Sequence, residues 1–295
     1  MAIKIGNSPE SWGVLAASDP HQIPWDRCLD EIVESGYEHV ELGPYGYFPT
    51  DPAVLGAELN SRGLTLTAAT VIGPLEDILA WPDLEKNILR NGELAAQLGA
   101  KFLVFIDSEY TTPGLTQGET QPRLGDDAWK RLIETTHQAA LLVRNKLSMD
   151  LTFHPCGDSH VEYEDQIETF LADTDPDTVS LCLDTGHHAY RGGDAVSFMR
   201  KHHERVAYLH LKSVDVDLQK KVNEENIPID EATRMGVFAE PYLGSVDFKA
   251  FATVLEDVGF TGPAMVEQDM YRPPLDVPLP IAKRARQHFR DVGIG

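Results

Sequence analysis

Val179-Ser-Leu-Cys-Leu-Asp-Thr-Gly-His187 is a run of mostly apolar residues that ends in a carboxylate and an imidazole. Val206-Ala-Tyr-Leu-His210 and Pro263-Ala-Met-Val-Glu267 repeat the pattern, each with an ionisable side chain after the run. Near-continuous apolar runs are typical of parallel strands that are covered on both faces. Polar side chains at the carboxyl ends of such strands are typical of functional sites in α/β barrels. These stretches therefore predict a parallel sheet whose strand ends carry chemistry.

The same apolar pattern recurs along the chain and alternates with amphipathic segments. The predicted strands are residues 3–6, 37–42, 64–70, 101–106, 149–153, 179–183, 206–211 and 263–266. The segments between them have helix signals, such as Pro24 near a start and Gly63 at an end. Eight such units in 295 residues predict an α/β fold, a (β/α)₈ TIM barrel that forms a single domain over residues 1–295. A polar insertion, residues 215–244, follows the seventh predicted strand.

Two loops bear on this prediction. The first strand leads into Gly6-Asn-Ser-Pro9 rather than a glycine-rich fingerprint, and no P-loop occurs, which argues against a doubly wound nucleotide-binding sheet. The polar loop Thr111–Gly125 follows the fourth strand, and we expect it to cover the barrel mouth.

The composition narrows the classes of partner. The formal net charge of −22 repels nucleic acid and anionic membranes, and it disfavours highly phosphorylated substrates. No apolar run reaches the roughly 18 residues of a membrane span, and the first residues lack a signal-peptide pattern. The three cysteines form no CxxC pair. We therefore expect a cytoplasmic protein that binds neither nucleic acid nor membrane.

A polar residue stands at the end of each predicted strand. These residues are Asn7, Glu41, Thr70, Asp107, His154, Asp184, His210 and Glu267. A lone histidine at a strand end is usually a structural residue, but His154, Asp184, His210 and Glu267 come from four consecutive strands and share metal-ligand chemistry. Two imidazoles with two carboxylates suit Mn²⁺, Co²⁺ or Zn²⁺ better than Ca²⁺, which prefers oxygen ligands. The sequence predicts one divalent metal ion, with Mn²⁺ preferred.

Short motifs in a specific order and spacing cover nearly the whole chain. They are Trp12-Gly13, Glu41-Leu-Gly-Pro-Tyr-Gly46, Pro49-Thr-Asp51, Phe153-His-Pro155, Asp184-Thr-Gly-His187, His210-Leu-Lys-Ser-Val-Asp215, Gly236-Val-Phe238, Gly244-Ser-Val-Asp-Phe248 and Glu267-Gln-Asp269. With these motifs the chain resembles the xylose isomerase-like superfamily of sugar isomerases, epimerases and metal lyases. Within it, the chain is most similar to inosose (2-keto-myo-inositol) dehydratases.

The resemblance implies a metal site on Asp184, His210 and Glu267. Epimerases of the superfamily carry a glutamate where this chain has His154, and that glutamate is one of two carboxylates that move a proton across both faces of a carbon. The broken pair argues against a two-base epimerase and is compatible with a lyase. It leaves two roles open for His154, as the fourth metal ligand or as a nearby base.

These observations suggest a hypothesis for the reaction. A metal-stabilised enediolate would form when a base, His154 or Glu267, removes a proton beside the ketone of a small polyol or ketose. His187 or Lys212 would donate a proton to the departing hydroxyl. The predicted substrate-binding residues are Asn7, Trp12, Glu41, His187 and Gln268, and Asp215 and Asp269 are expected to orient the ligand histidines.

Three alternatives remain at this point. A metal-dependent ketose isomerase or epimerase would use the same site without loss of water. A nuclease of the superfamily would need three metals and a basic groove, which the acidic composition disfavours. A non-catalytic binding module would keep the barrel without the chemistry. The resemblance also makes a homo-oligomer an expectation.

Overall fold

Parallel strands form the centre of the molecule. Within residues 3–108 and 123–295, which the computed structural model describes, the strands are β1 (Lys4–Asn7), β2 (His39–Val40), β3 (Thr65–Leu66), β4 (Ala68–Gly73), β5 (Phe102–Asp107), β6 (Asp150–His154), β7 (Val179–Asp184), β8 (Val206–Leu211), β9 (Ser213–Val214), β10 (Phe238–Ala239) and β11 (Pro263–Val266). Nine of them form one sheet in the order β3-β2-β1-β11-β8-β7-β6-β5-β4. The predicted loop Thr111–Gly125 lies largely outside the described residues.

The two strands at the ends of this order are halves of one barrel strand. Only Thr67 separates β3 from β4. Its N–H donates to Val40 O at 3.0 Å, and its carbonyl accepts from Phe102 N at 3.4 Å, so Thr67 connects both neighbours. With β3 and β4 counted as one strand, the sheet closes into a ring of eight strands, and the predicted (β/α)₈ barrel is confirmed.

Helices surround this ring. Among the described residues the α-helices are α1 (Trp25–Glu34), α2 (Pro52–Arg62), α3 (Trp81–Gln97), α4 (Asp126–Leu142), α5 (Glu164–Asp173), α6 (Thr185–Tyr190), α7 (Ala195–His202), α8 (Val216–Glu225), α9 (Ile229–Arg234), α10 (Phe248–Asp257) and α11 (Pro278–Val292). The short helix α6 was not predicted. It begins directly after β7 because the Asp184 side chain accepts the N–H groups of Gly186 and His187. Among the described residues, no helix has the length and apolar character needed to cross a membrane.

The interior of the barrel determines where the strand-end side chains point. Cys182, Tyr208 and Met265 belong to a fully buried cluster inside the ring. Asp184 and His210 stand two residues further along β7 and β8, and Glu267 stands two residues after Met265, directly after the end of β11. Because side chains alternate along a strand with a period of two, these three polar groups point to the same side, one layer above the apolar cluster.

The insertion after β8 has a small core of its own. It contains the antiparallel pair β9–β10 with α8 and α9, and its apolar residues pack against Tyr190 of α6. Asp158, in the loop after β6, accepts the N–H of Ile229 at 2.7 Å. Arg191, at the end of α6, binds both Asp158 and Glu162, so these ion pairs hold the loop after β6 against α6 and keep Asp158 in position for its contact with the insertion.

We expect Arg191→Ala to lower the free energy of unfolding by about 3–5 kcal/mol, because it removes the cation that compensates two largely buried carboxylates. Urea denaturation followed by circular dichroism measures the change. Arg200→Ala is the matched control, since Arg200 and its partner Asp257 are exposed and their pair contributes less than about 1 kcal/mol. Equal losses in the two variants would contradict a stabilising role for this connection.

Candidate active site and metal centre

A cavity of about 490 Å³ opens at the carboxyl ends of the strands. This volume is in the range of sites for small molecules. Eight residues that the sequence analysis placed at a strand end or gave a functional role line it: Glu41, Thr70, His154, His187, His210, Lys212, Glu267 and Asp269. The insertion contributes one wall of the cavity through Ile229, Thr233 and Phe238.

The four predicted metal ligands form a continuous chain of contacts. His154 Nε2 lies 3.4 Å from Asp184 Oδ2, and the same oxygen lies 3.7 Å from His210 Nδ1. His210 Nδ1 lies 3.2 Å from Glu267 Oε2. All four side chains are buried. The structure therefore brings together the four side chains that the strand-end pattern selected.

His210 is oriented by a carboxylate from the other side of the barrel. Its Nε2 lies 2.9 Å from Glu41 Oε1, which leaves Nδ1 facing Asp184 and Glu267. Nδ1 is buried and makes no hydrogen bond with the described residues. A histidine that donates one ring N–H to a carboxylate and turns its other nitrogen to two further carboxylates has the arrangement of a metal ligand. The residues present therefore fit a divalent ion.

Lys212 is a fully buried cation beside this cluster. Its Nζ lies 3.1 Å from Asp184 Oδ2, 2.9 Å from Glu267 Oε2 and 2.8 Å from Asp269 Oδ2. Burial by itself would lower the pKa of Lys212, but the three carboxylates raise it well above its usual value. Burial would likewise raise the pKa of Asp184, and the charge of Lys212 outweighs it and holds the pKa well below the usual range.

His187 lies between the metal cluster and the insertion. Its Nδ1 accepts the N–H of Gly157 at 3.1 Å, which assigns the ring proton to Nε2 in a neutral ring. Burial, followed by the charge of Lys212, holds the pKa of His187 well below its usual value. A neutral ring with one N–H at the cavity wall suits a hydrogen bond to a substrate oxygen.

The structure does not bring three of the predicted substrate-binding residues to the cavity wall. Trp12 is buried in the main core, and its Nε1–H donates to Glu31 of α1 at 2.8 Å. Asn7 accepts the N–H of Ser8 at 2.8 Å, and Gln268 donates from its backbone to Ser11 at 3.0 Å. None of the three lines the described cavity. Asp215, expected to orient a ligand, instead caps α8 through Leu218 N–H.

Several cavity residues were not assigned a role in the chemistry from the sequence. Glu10 lies in the short helix Pro9–Trp12 that follows β1, and Cys156 lies in the loop after β6. Phe238 lies under the Lys212 ammonium, 5.0 Å from Nζ to the ring centre. None of them stands at a strand end, so the strand-end pattern missed them. A search for carboxylates within a few residues of each strand end would have found Glu10.

Comparison with known proteins agrees with this architecture. Residues 29–292 match the family model of the xylose isomerase-like TIM barrel. Inosose dehydratase from Geobacillus kaustophilus (strain HTA426) is 30% identical over 294 residues, which cover 97% of this chain and 93% of that protein. Inosose dehydratase from Geobacillus thermodenitrificans (strain NG80-2) is 26% identical over 293 residues, 98% of this chain and 97% of that protein.

Solved structures share the fold. The IOLI protein, crystallised with a bound zinc atom, superposes with a TM-score of 0.71 at 15% identity, over 98% of each chain. At this identity the likeness shows the barrel and nothing about its chemistry.

We expect Glu41→Gln to weaken the affinity for Mn²⁺ about 10–100-fold, because the carboxylate that orients His210 loses its charge. Calorimetric titration of the chelator-treated protein with Mn²⁺ measures the affinity. Glu38→Gln is the matched control, since Glu38 precedes the same strand and is exposed. An unchanged affinity in Glu41→Gln would show that the Glu41–His210 contact does not support a metal ligand.

Proposed function

The chain belongs to the xylose isomerase-like TIM barrel family, and from this membership we propose that it is a divalent-metal-dependent lyase that dehydrates an inosose-like cyclic polyhydroxy ketone. The relatives known as inosose dehydratases match it along nearly its full length, and this observation carries the substrate class. The cavity supports the proposal because its volume suits a six-membered polyol and its wall offers several hydrogen-bonding groups.

His154, Asp184, His210 and Glu267 are the residues that would hold the metal, and we propose Mn²⁺, with Co²⁺ or Zn²⁺ as substitutes. When bound, the ion supplies a Lewis acid that polarises the ketone and stabilises the negative charge that develops on its oxygen. We also propose the cytoplasm as the compartment, where the three cysteines of the chain stay reduced.

The protein side chains would supply binding and proton transfer. His154 and Glu267, which both line the cavity, are the two candidates that would take the proton from the carbon beside the ketone. His187 would hold a substrate hydroxyl through its Nε2–H. Lys212 would keep Asp184 and Glu267 ionised and in position, because its ammonium contacts both.

The first test is metal content together with turnover. We expect about one Mn, Co or Zn per chain in the purified protein, and water loss from 2-keto-myo-inositol in the presence of Mn²⁺. His210→Ala should lose the metal and the activity, because it removes a ligand from the centre of the cluster. Elemental analysis and product detection by NMR measure the two outcomes.

Isomerisation of a ketose without loss of water would instead support the isomerase or epimerase alternative. Absence of metal after reconstitution would reject the mechanism and leave only the barrel.

A second test separates the two roles of His154. We expect His154→Ala to bind metal more weakly, because its Nε2 faces Asp184 within the same buried cluster. Metal content after dialysis, measured beside His137→Ala on the outer helix α4, decides the point. Full metal content with turnover reduced about 10²–10⁴-fold would assign His154 as the base rather than a ligand.

A further inference from the structure

The proposed dehydration needs a proton donor, and the two groups expected from the sequence are poorly placed for that task. Oxygens of three carboxylates, those of Asp184, Glu267 and Asp269, lie within 3.1 Å of the Lys212 nitrogen. These carboxylates stabilise the charged ammonium, so transfer of one of its protons to a departing hydroxyl is unfavourable. His187 is neutral with its single proton on Nε2, and a neutral imidazole is a very weak acid.

We propose that Glu10 is the catalytic acid, which protonates the hydroxyl that leaves the substrate. This assignment rests on the proposed function. Glu10 lines the cavity and is half-buried, so a bound molecule can reach it. Its Oε2 is inaccessible to solvent and makes no hydrogen bond with the described residues, and an ionised oxygen in that position is unfavourable.

The surroundings of Glu10 also favour the uncharged carboxyl. Burial raises the pKa of Glu10 to about 8, and the nearby carboxylates of Glu267 and Glu41 add to the rise. A carboxyl that keeps its proton near neutral pH matches the requirement for general acid catalysis, in which the donor is protonated at the working pH.

The barrel places this acid opposite one of the two candidate bases. Glu10 follows β1, and His154 ends β6. In the ring order β1-β11-β8-β7-β6, β6 is the fourth strand from β1, which is half of the way around an eight-stranded barrel. The two residues therefore stand on opposite sides of the barrel mouth. A substrate between them can lose a proton toward one side and its hydroxyl toward the other.

The step balances without any co-reactant. The base removes the proton from the carbon beside the ketone, and the electron pair forms a double bond to the next carbon. The bond from that carbon to its hydroxyl breaks, and the hydroxyl takes the proton of Glu10 and leaves as water. Glu10 is then a carboxylate and regains a proton from solvent, while the base releases to solvent the proton that it took.

The test compares proton exchange with water loss in the Mn²⁺-loaded enzyme. Wild type and Glu10→Gln are incubated with 2-keto-myo-inositol in D₂O, and NMR follows deuterium uptake beside the ketone and formation of the unsaturated product. We expect Glu10→Gln to keep the exchange and the KM but to lose about 10²–10⁴-fold in water loss. Glu34→Gln, on the exposed face of α1, is the matched control and should behave as wild type.

A second variant guards against a purely structural effect. Glu10→Ala leaves space at the cavity wall, and added acetic acid should restore part of the water loss while leaving the exchange rate unchanged. Metal content and thermal unfolding of both variants check that the site is intact.

The remaining outcomes overturn the assignment in distinguishable ways. Water loss at the wild-type rate in Glu10→Gln rejects Glu10 as the acid and leaves the proposed function standing. Loss of both exchange and elimination places Glu10 in binding or in the first proton transfer instead. If wild type exchanges the proton but never releases water, the proposed dehydratase function fails, and the role of Glu10 fails with it.

Discussion

Charge compensation at the mouth of the barrel is the constraint on which the site depends. The carboxylates of Glu41, Glu267 and Asp269 line one cavity, and among the described residues the ammonium of Lys212 contacts Glu267, Asp269 and the neighbouring Asp184. Buried carboxylates without a nearby cation are strongly destabilising. The excess of negative charge makes the cluster suited to a divalent cation, and the ion pairs hold the proposed ligands in position for it.

The period of the strands made most of this site predictable. An apolar run that ends in an ionisable residue predicts both the strand and the direction of its last side chain, because the residue two positions earlier faces the barrel interior. Asp184, His210 and Glu267 follow Cys182, Tyr208 and Met265 in this way, and the eight strands were likewise visible in the sequence.

Loop residues could not be predicted in the same manner, since tertiary packing decides where they point. Trp12 and Glu10 are two positions apart in one short helix. The indole of Trp12 turns into the core because Glu31 on α1 accepts its N–H, whereas Glu10 remains at the cavity. The third barrel strand was expected to be continuous over residues 64–70, but it is interrupted at Thr67. The N–H of Thr67 bonds to the strand on one side and its carbonyl to the strand on the other. Neither outcome has a signature in the local sequence.

The acidity of the cavity also connects metal binding to the chemistry proposed for Glu10. A divalent cation on Glu267 would reduce the repulsion that this carboxylate exerts on Glu10, and so would lower the pKa of Glu10. Repulsion is the smaller cause, however, because burial contributes first to the raised pKa, and burial does not depend on the ion. The wall around β1 therefore keeps a carboxyl protonated beside a cluster that must stay ionised. Two environments at one cavity, one desolvated and one compensated by Lys212, would allow carboxylates of the same type to act as ligands and as an acid.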